Sequence, residues 1–122
     1  MNVKSLVEGL FYLGKVNGKR QTYHVFRGGN GFLVLSFSRT KSNSGNFNVV
    51  ESKAAEYVRT RFAGAKGVTA NDVVAKGKRS HHVPSSLAAL NILYVLTATG
   101  DVRIDARRAG PKLYFNFRPG RA

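Results

Sequence analysis

Residues 80–117 read SHHVPSSLAALNILYVLTATGDVRIDARRAGPKLYFNF, one long apolar segment followed by two short alternating ones. Pro84 suits the first turn of a helix, and Gly100 is a typical residue just past a helix end. The segment between them therefore predicts a helix from Pro84 to Thr99 with a polar start. Its leucines recur every three residues and predict a buried stripe of Leu87, Leu90, Leu93 and Leu96.

Beyond Gly100, apolar and polar residues alternate in two short runs. Val102 and Ile104 form the first run, and Leu113, Phe115 and Phe117 form the second. Such alternation is typical of a half-buried β-hairpin. The predicted tip, Arg107-Arg108-Ala109-Gly110-Pro111-Lys112, is cationic.

The first part of the chain has the pattern of an antiparallel sheet. Short apolar runs at 10–15, 21–26, 32–37 and 47–50 are separated by turn-forming residues, including Asn17-Gly18 and the glycines around Asn30. In the third run, Phe32, Val34 and Ser36 are expected on one side and Leu33, Leu35 and Phe37 on the other. The polar stretch 39–46 predicts an exposed loop.

Two further helices are predicted between this sheet and the long helix. In residues 51–62, Ala54, Ala55, Val58 and Phe62 share one face, and Ser52 is the expected cap. Residues 70–75 form a short helix, with Thr69 as its cap and Asp72 three residues on. The fold class is therefore α+β, with an antiparallel sheet of three to four strands in residues 1–50, then three helices and a hairpin in residues 51–122.

The charge of the chain points to a polyanionic partner. Twenty Lys and Arg against six Asp and Glu give a net charge of +14 on a chain of 122 residues with an ordinary hydrophobic fraction. A folded protein with this excess is expected to bind nucleic acid. The absence of cysteine excludes disulfides, a thiol nucleophile and a thiolate zinc site. No apolar run reaches membrane-spanning length, so we expect a cytoplasmic, nucleoid-associated protein with no membrane partner.

From Glu51 to Phe117, the order of helix, short helix, longer helix and cationic hairpin resembles the winged helix-turn-helix superfamily, over slightly more than half of the chain. The resemblance implies a protein that binds double-stranded DNA, with the third helix at the major groove and the hairpin as a wing. It places Ser85, Ser86 and Asn91 at the groove. It places the cations on phosphates, at Lys76, Lys78, Arg79, Arg107, Arg108 and Lys112.

The connection between the second and third helices is longer than the usual turn of this superfamily. It is strongly basic, and we expect Ser80, His81 and His82 to lie near phosphates, where the histidines gain charge below neutrality. Adjacent histidines without cysteines or clustered carboxylates do not suggest a metal, so no metal or cofactor is expected.

Three other interpretations are open at this point. Asp101 and Asp105 invite a nuclease interpretation, but so few carboxylates favour a non-enzymatic protein. The aromatics Tyr12, Tyr23, Phe26 and Phe32, interleaved with basic residues, would suit single strands, so an RNA- or ribosome-associated protein is the main alternative. A homodimer would pair through the N-terminal sheet or an apolar helix face. The preferred function is duplex DNA binding with modest sequence specificity, as a regulator or a chromatin-like architectural protein.

Overall fold

The computed structural model of the protein describes residues 8–19, 21–38, 45–77, 82–107, 110 and 112–120. In chain order, these residues form a four-stranded antiparallel sheet, three helices and a two-stranded hairpin. The predicted α+β class is confirmed, with the sheet at its upper predicted size. Most of the predicted polar loop, residues 39–44, lies outside the described residues.

The sheet consists of β1 Phe11–Asn17, β2 Gln21–Gly28, β3 Gly31–Ser38 and β4 Gly45–Glu51, in the order β1-β2-β3-β4. The β2–β3 turn is tight because Gly28 pairs with Gly31, and Gly29 has a φ of +55°, which a residue with a side chain rarely adopts. Asn17 is the last residue of β1 and pairs with Thr22, so the predicted Asn17-Gly18 turn begins one residue later, at Gly18. Chain-order neighbours therefore pair throughout the sheet.

The two faces of the sheet have different environments. One face, the inner face, contributes Val16, Val25, Val34 and Val50 to the hydrophobic core. Successive side chains alternate between faces, so the register places a second set on the opposite side, the outer face: Tyr12, His24, Phe26, Leu33, Leu35, Phe37, Phe47 and Val49. The alternation predicted for β3 agrees with this register.

The first two helices are α1 Ser52–Arg61 and α2 Ala70–Gly77. Of the α1 face predicted to be buried, Ala54, Ala55 and Val58 are buried, as is Phe62 just beyond the helix. The predicted cap of α1 is wrong: Glu51 occupies the cap position, and its side chain makes no capping hydrogen bond. Because β4 runs directly into the helix, Glu51 keeps its extended strand conformation, and Ser52 is already helical.

The third helix, α3 Ser86–Ala98, is the centre of the core rather than a helix with one open face. Ala89 and every residue from Asn91 to Leu96 are buried, because the inner face of the sheet covers one side and α1 and α2 cover the others. A helix that is apolar all round is expected in such a position. The predicted leucine stripe is wrong at Leu87, which is 61% exposed, whereas Leu93 and Leu96 are buried.

The hairpin consists of β5 Val102–Ile104 and β6 Phe115–Phe117, which pair antiparallel. Val68 forms a further bridge to Phe115 and ties the segment before α2 to the hairpin. One hydrophobic cluster contains residues of the sheet, the three helices and the hairpin. The core is therefore continuous across the predicted division after residue 50.

Candidate nucleic-acid interface

Some of the predicted contact residues cannot be placed. Lys78, Arg79, Ser80, His81 and Arg108 lie outside the described residues.

Asn91 does not point outward from α3, contrary to the prediction that it approaches a DNA groove. Its side chain is only 4% exposed, and its Nδ2 donates a hydrogen bond to the Leu87 carbonyl oxygen at 3.0 Å. A buried amide needs such a partner, and here the preceding turn of the same helix supplies it. A side chain in this position cannot pair with a base edge, so the prediction for Asn91 is wrong.

The start of α3 is exposed, but one of its polar side chains caps the helix. Ser85 is the N-cap, and its Oγ accepts a hydrogen bond from the Ala88 backbone N–H at 3.1 Å. Ser86 is exposed in the first turn. His82 is half-buried, with its ring centroid 5.4 Å from that of Tyr57. The polar start that the sequence predicts is present, but Ser85 stabilises its own helix.

Two predicted cations lie on exposed ends of elements. Lys76 is in the last turn of α2, with its Nζ 5.6 Å from the centroid of the Phe62 ring. Arg107 follows β5 and binds Asp105 through its backbone N–H, its Nε and one terminal nitrogen. These bonds hold the pKa of Asp105 down at about 2. Arg107 is thus both an exposed cation and the anchor of the hairpin's first turn.

Lys112 lines a basic concavity among the described residues, which we call the two-lysine cleft. It has a volume of about 610 Å³ and lies between the β1–β2 turn, the start of α2 and the hairpin. Lys19, in the β1–β2 turn, and Lys112, between the two hairpin strands, both line it. The lining residues are Lys19, Gln21, Tyr23, Thr69, Ala70, Asn71, Leu90, Tyr94, Lys112 and Leu113.

A tyrosine pair lies in this cleft. The rings of Tyr23 and Tyr94 are stacked, with centroids 4.0 Å apart and planes inclined by 26°. Burial, together with the interaction with Tyr23, raises the pKa of Tyr94 well above its ordinary value, so its hydroxyl stays protonated. The pair joins β2 to α3 within the lining of the cleft.

The start of α2 supplies the polar side of the cleft. Thr69 and Asp72 form the predicted capping box: the Thr69 backbone N–H donates to Asp72 Oδ2 at 2.9 Å, and the Asp72 N–H donates to Thr69 Oγ1 at 3.2 Å. Asn71 is exposed between them. The capping box fixes this turn, so Asn71 is presented by ordered backbone.

Several carboxylates of the described residues already have partners. Glu56 pairs with Arg59, and Asp105 pairs with Arg107. Asp101 accepts a hydrogen bond from the Thr99 hydroxyl at 2.7 Å. In contrast, Lys19 and Lys112 have no carboxylate partner among the described residues. The positive field of the two-lysine cleft is therefore not neutralised by these groups.

The sequence-based prediction did not include Lys19 and Asn71, which line the two-lysine cleft with Lys112. The signal for Lys19 was present, because Lys19-Arg20 after Asn17-Gly18 is a basic hairpin tip of the same kind as the wing. Nothing in the local sequence indicates that this tip and Lys112 line one cleft.

Over the part of the chain that the structure describes, no group of three His, Asp or Glu side chains is placed to hold a metal ion. No helix within those same residues is both long and apolar enough to cross a membrane. In comparisons with known proteins, the chain matches no protein-family model, no curated protein and no solved structure.

Proposed function

We propose that the protein is a non-enzymatic DNA-binding protein that holds the phosphate backbone of duplex DNA. The observation that carries this proposal is the two-lysine cleft, where cations from the sheet and from the hairpin line one surface. A net charge of +14 adds long-range attraction for a polyanion. A cleft of about 610 Å³ accommodates a stretch of one backbone rather than a duplex, so the duplex lies across it.

Contacts of this kind give affinity without much sequence selection. Phosphate contacts fix the position of a protein on DNA but carry no sequence information directly. Asn91 is buried, as are Ala89 and residues 92–96 of α3, so it is the first turn of the helix that is open to a groove. Broad binding of this type suits an architectural or chromatin-like role, and such a protein would be found with the nucleoid.

Replacement of the cleft lysines tests the proposal. The measurement is the dissociation constant for a fluorescently labelled duplex, by anisotropy, for wild type and for the double variant Lys19→Gln/Lys112→Gln. Loss of two exposed charge contacts should weaken binding about 2- to 30-fold. Lys53→Gln is the matched control, because Lys53 is an exposed lysine on α1 that lines a different cleft.

Two outcomes would contradict the proposal. Equal binding by wild type and the cleft variant would remove the cleft from the interface, and failure of wild type to bind duplex would reject the function.

Incubation of plasmid with Mg²⁺ or Mn²⁺ tests the non-enzymatic part. We expect the plasmid to remain intact, because few carboxylates are available to hold catalytic metal ions.

A further inference from the structure

The outer face of the sheet carries aromatic side chains that the fold leaves open to solvent. Tyr12 on β1 is 48% exposed and Phe47 on β4 is 42% exposed. Three further rings lie on the same face, on β2 and β3. We call this group the ring face; its members are Tyr12, His24, Phe26, Phe37 and Phe47.

Four of the five rings are linked by contacts. The Tyr12 ring lies 5.1 Å from that of Phe26 and 5.9 Å from that of His24, between centroids. His24 in turn meets Phe37 edge-on at 5.9 Å. The Tyr12 hydroxyl and His24 Nδ1 are hydrogen-bonded at 3.1 Å, which orients both rings. The ring face is therefore an ordered surface that would lose little side-chain entropy on binding.

The ring face is separate from the hydrophobic core. Leu33 and Leu35 are buried on the outer face, yet neither belongs to the core cluster. In the register, Leu33 lies between Phe26 and Val49, and Leu35 lies between His24 and Phe47. The two leucines are thus flanked by half-buried Phe26 and His24 on β2 and by exposed Val49 and Phe47 on β4. An exposed apolar surface of this kind usually marks a binding site.

Charge identifies the partner. Lys15 pairs with His24 in the β1–β2 register, so a cation adjoins the rings. Glu51 ends β4 opposite Gly31, and the described strand positions nearer the rings carry no carboxylate. A second copy of this chain would bring a further charge of +14 against this face, whereas a polyanion would neutralise it. Aromatic rings stack on the bases of unpaired strands whatever their sequence.

We propose that the ring face binds single-stranded DNA by stacking its unpaired bases. Neighbouring strands lie about 4.8 Å apart, so the sheet spans about 14 Å from β1 to β4 and has room for about two or three bases. The choice of DNA over RNA rests on the proposed function, since the rings themselves accept bases of either. The protein then has two sites, the two-lysine cleft for duplex backbone and the ring face for an unpaired strand.

Ring removal tests the proposal by anisotropy on three probes: a short DNA single strand, an RNA of the same sequence and the corresponding DNA duplex. Tyr12→Ala and Phe47→Ala should each weaken single-strand binding about 5- to 100-fold and leave duplex binding within about twofold. Tyr12→Phe and Phe47→Tyr keep a ring and should bind the single strand more tightly than the corresponding alanine variants. Val49→Ala removes an exposed aliphatic side chain from the same face and should also bind like wild type.

The outcomes separate this proposal from the proposed function. Loss of duplex binding in Lys19→Gln/Lys112→Gln, with single-strand binding unaffected by the ring variants, would overturn only the ring face. If the ring variants lose single-strand binding as expected but wild type does not bind duplex, only the proposed function is overturned. RNA binding more than about tenfold tighter than DNA binding would overturn DNA as the occupant.

Two further measurements keep the proposal falsifiable. Sedimentation of the protein without nucleic acid should show a monomer; a dimer that Phe47→Ala dissociates would make the ring face a contact between copies and overturn the proposal. If the alanine variants do not fold, photocrosslinking of wild type to a halogenated DNA single strand replaces them. Crosslinks should map to Tyr12, Phe26 or Phe47, and crosslinks confined to other segments would overturn the proposal.

Discussion

Leu87 and Leu93 belong to one predicted stripe but have different environments. Residues advance by about 100° around a helix, so each step of three residues rotates the position by about 60°. Leu87 and Leu96 therefore lie on opposite sides of α3. Leucines spaced by three residues indicate a helix but do not show which side of it is buried. The buried side depends on how far the sheet and the other helices extend over α3. They cover α3 from Ala89 onward and leave Leu87 61% exposed.

Truncation of the two leucines should have unequal effects on stability. Leu93 is fully buried, and Leu93→Ala should lower the free energy of unfolding by about 2–5 kcal/mol, since it leaves a cavity in the core. Leu87→Ala should change it by less than about 0.5 kcal/mol. Urea unfolding followed by circular dichroism measures both. Similar losses in the two variants would contradict the burial of α3.

Asp105 should make stability depend on pH in the acid range. The Arg107 bonds hold the folded-state pKa of Asp105 at about 2, below the value of about 3.9 for an unfolded chain. Its stabilising contribution is therefore present above about pH 4 and is lost as the pH falls toward about 2. Asp105→Asn should lower the melting temperature at neutral pH, with the difference from wild type shrinking below about pH 4.

Glu56 supplies the control for this pH series. Glu56 pairs with Arg59 within α1, but its side chain is largely exposed, and such surface pairs contribute little. Glu56→Gln should therefore melt close to wild type across the same pH range. A difference between Asp105→Asn and wild type that stays constant down to about pH 2 would contradict the Arg107 bonds as its source.

At the scale of elements, local patterns predicted more than long-range ones. The Gly28–Gly31 turn and the Thr69–Asp72 capping box depend on neighbouring residues, and both are present. The cap of α1 was mispredicted, because a strand that runs straight into a helix changes which residue precedes the first turn. The burial of Asn91 also escaped prediction, because the surroundings of α3 come from a sheet distant in sequence.

The start of α2 provides a test at this scale. Thr69→Ala removes the hydroxyl that accepts from the Asp72 N–H, and it should lower the free energy of unfolding by about 1 kcal/mol. Asn71→Ala changes an exposed residue in the same turn and keeps the capping box, so it should have a smaller effect. Thermal melts of the two variants measure the difference. An equal loss in both would mean that the hydroxyl does not cap the helix.

For the whole molecule, sequence reasoning identified a basic protein but not the surface that its cations form. Lys19 and Lys112 lie near opposite ends of the chain and line one cleft because the sheet and the hairpin flank α3 from different sides. Likewise, the outer face of the sheet follows from alternation along each strand, but its exposure depends on all three helices lying on the inner face. Neither surface has a signal in any single stretch of sequence.

The charge of the whole molecule leads to a prediction about salt. If the cleft and the neighbouring cations Lys76 and Arg107 occupy about four to six phosphates, the logarithm of duplex affinity should fall with the logarithm of salt concentration at a slope of about −4 to −5. Each phosphate contact contributes about −0.9 to the slope, so Lys19→Gln/Lys112→Gln should make it shallower by about two units. The Lys53→Gln control should keep the wild-type slope.

Anisotropy titrations across a salt series, repeated on two unrelated duplexes, measure both slope and selectivity. Because the expected contacts are to phosphates, the two duplexes should give the same slope and similar affinities. A slope near zero, or one that the cleft variant leaves unchanged, would mean that these lysines do not neutralise phosphates.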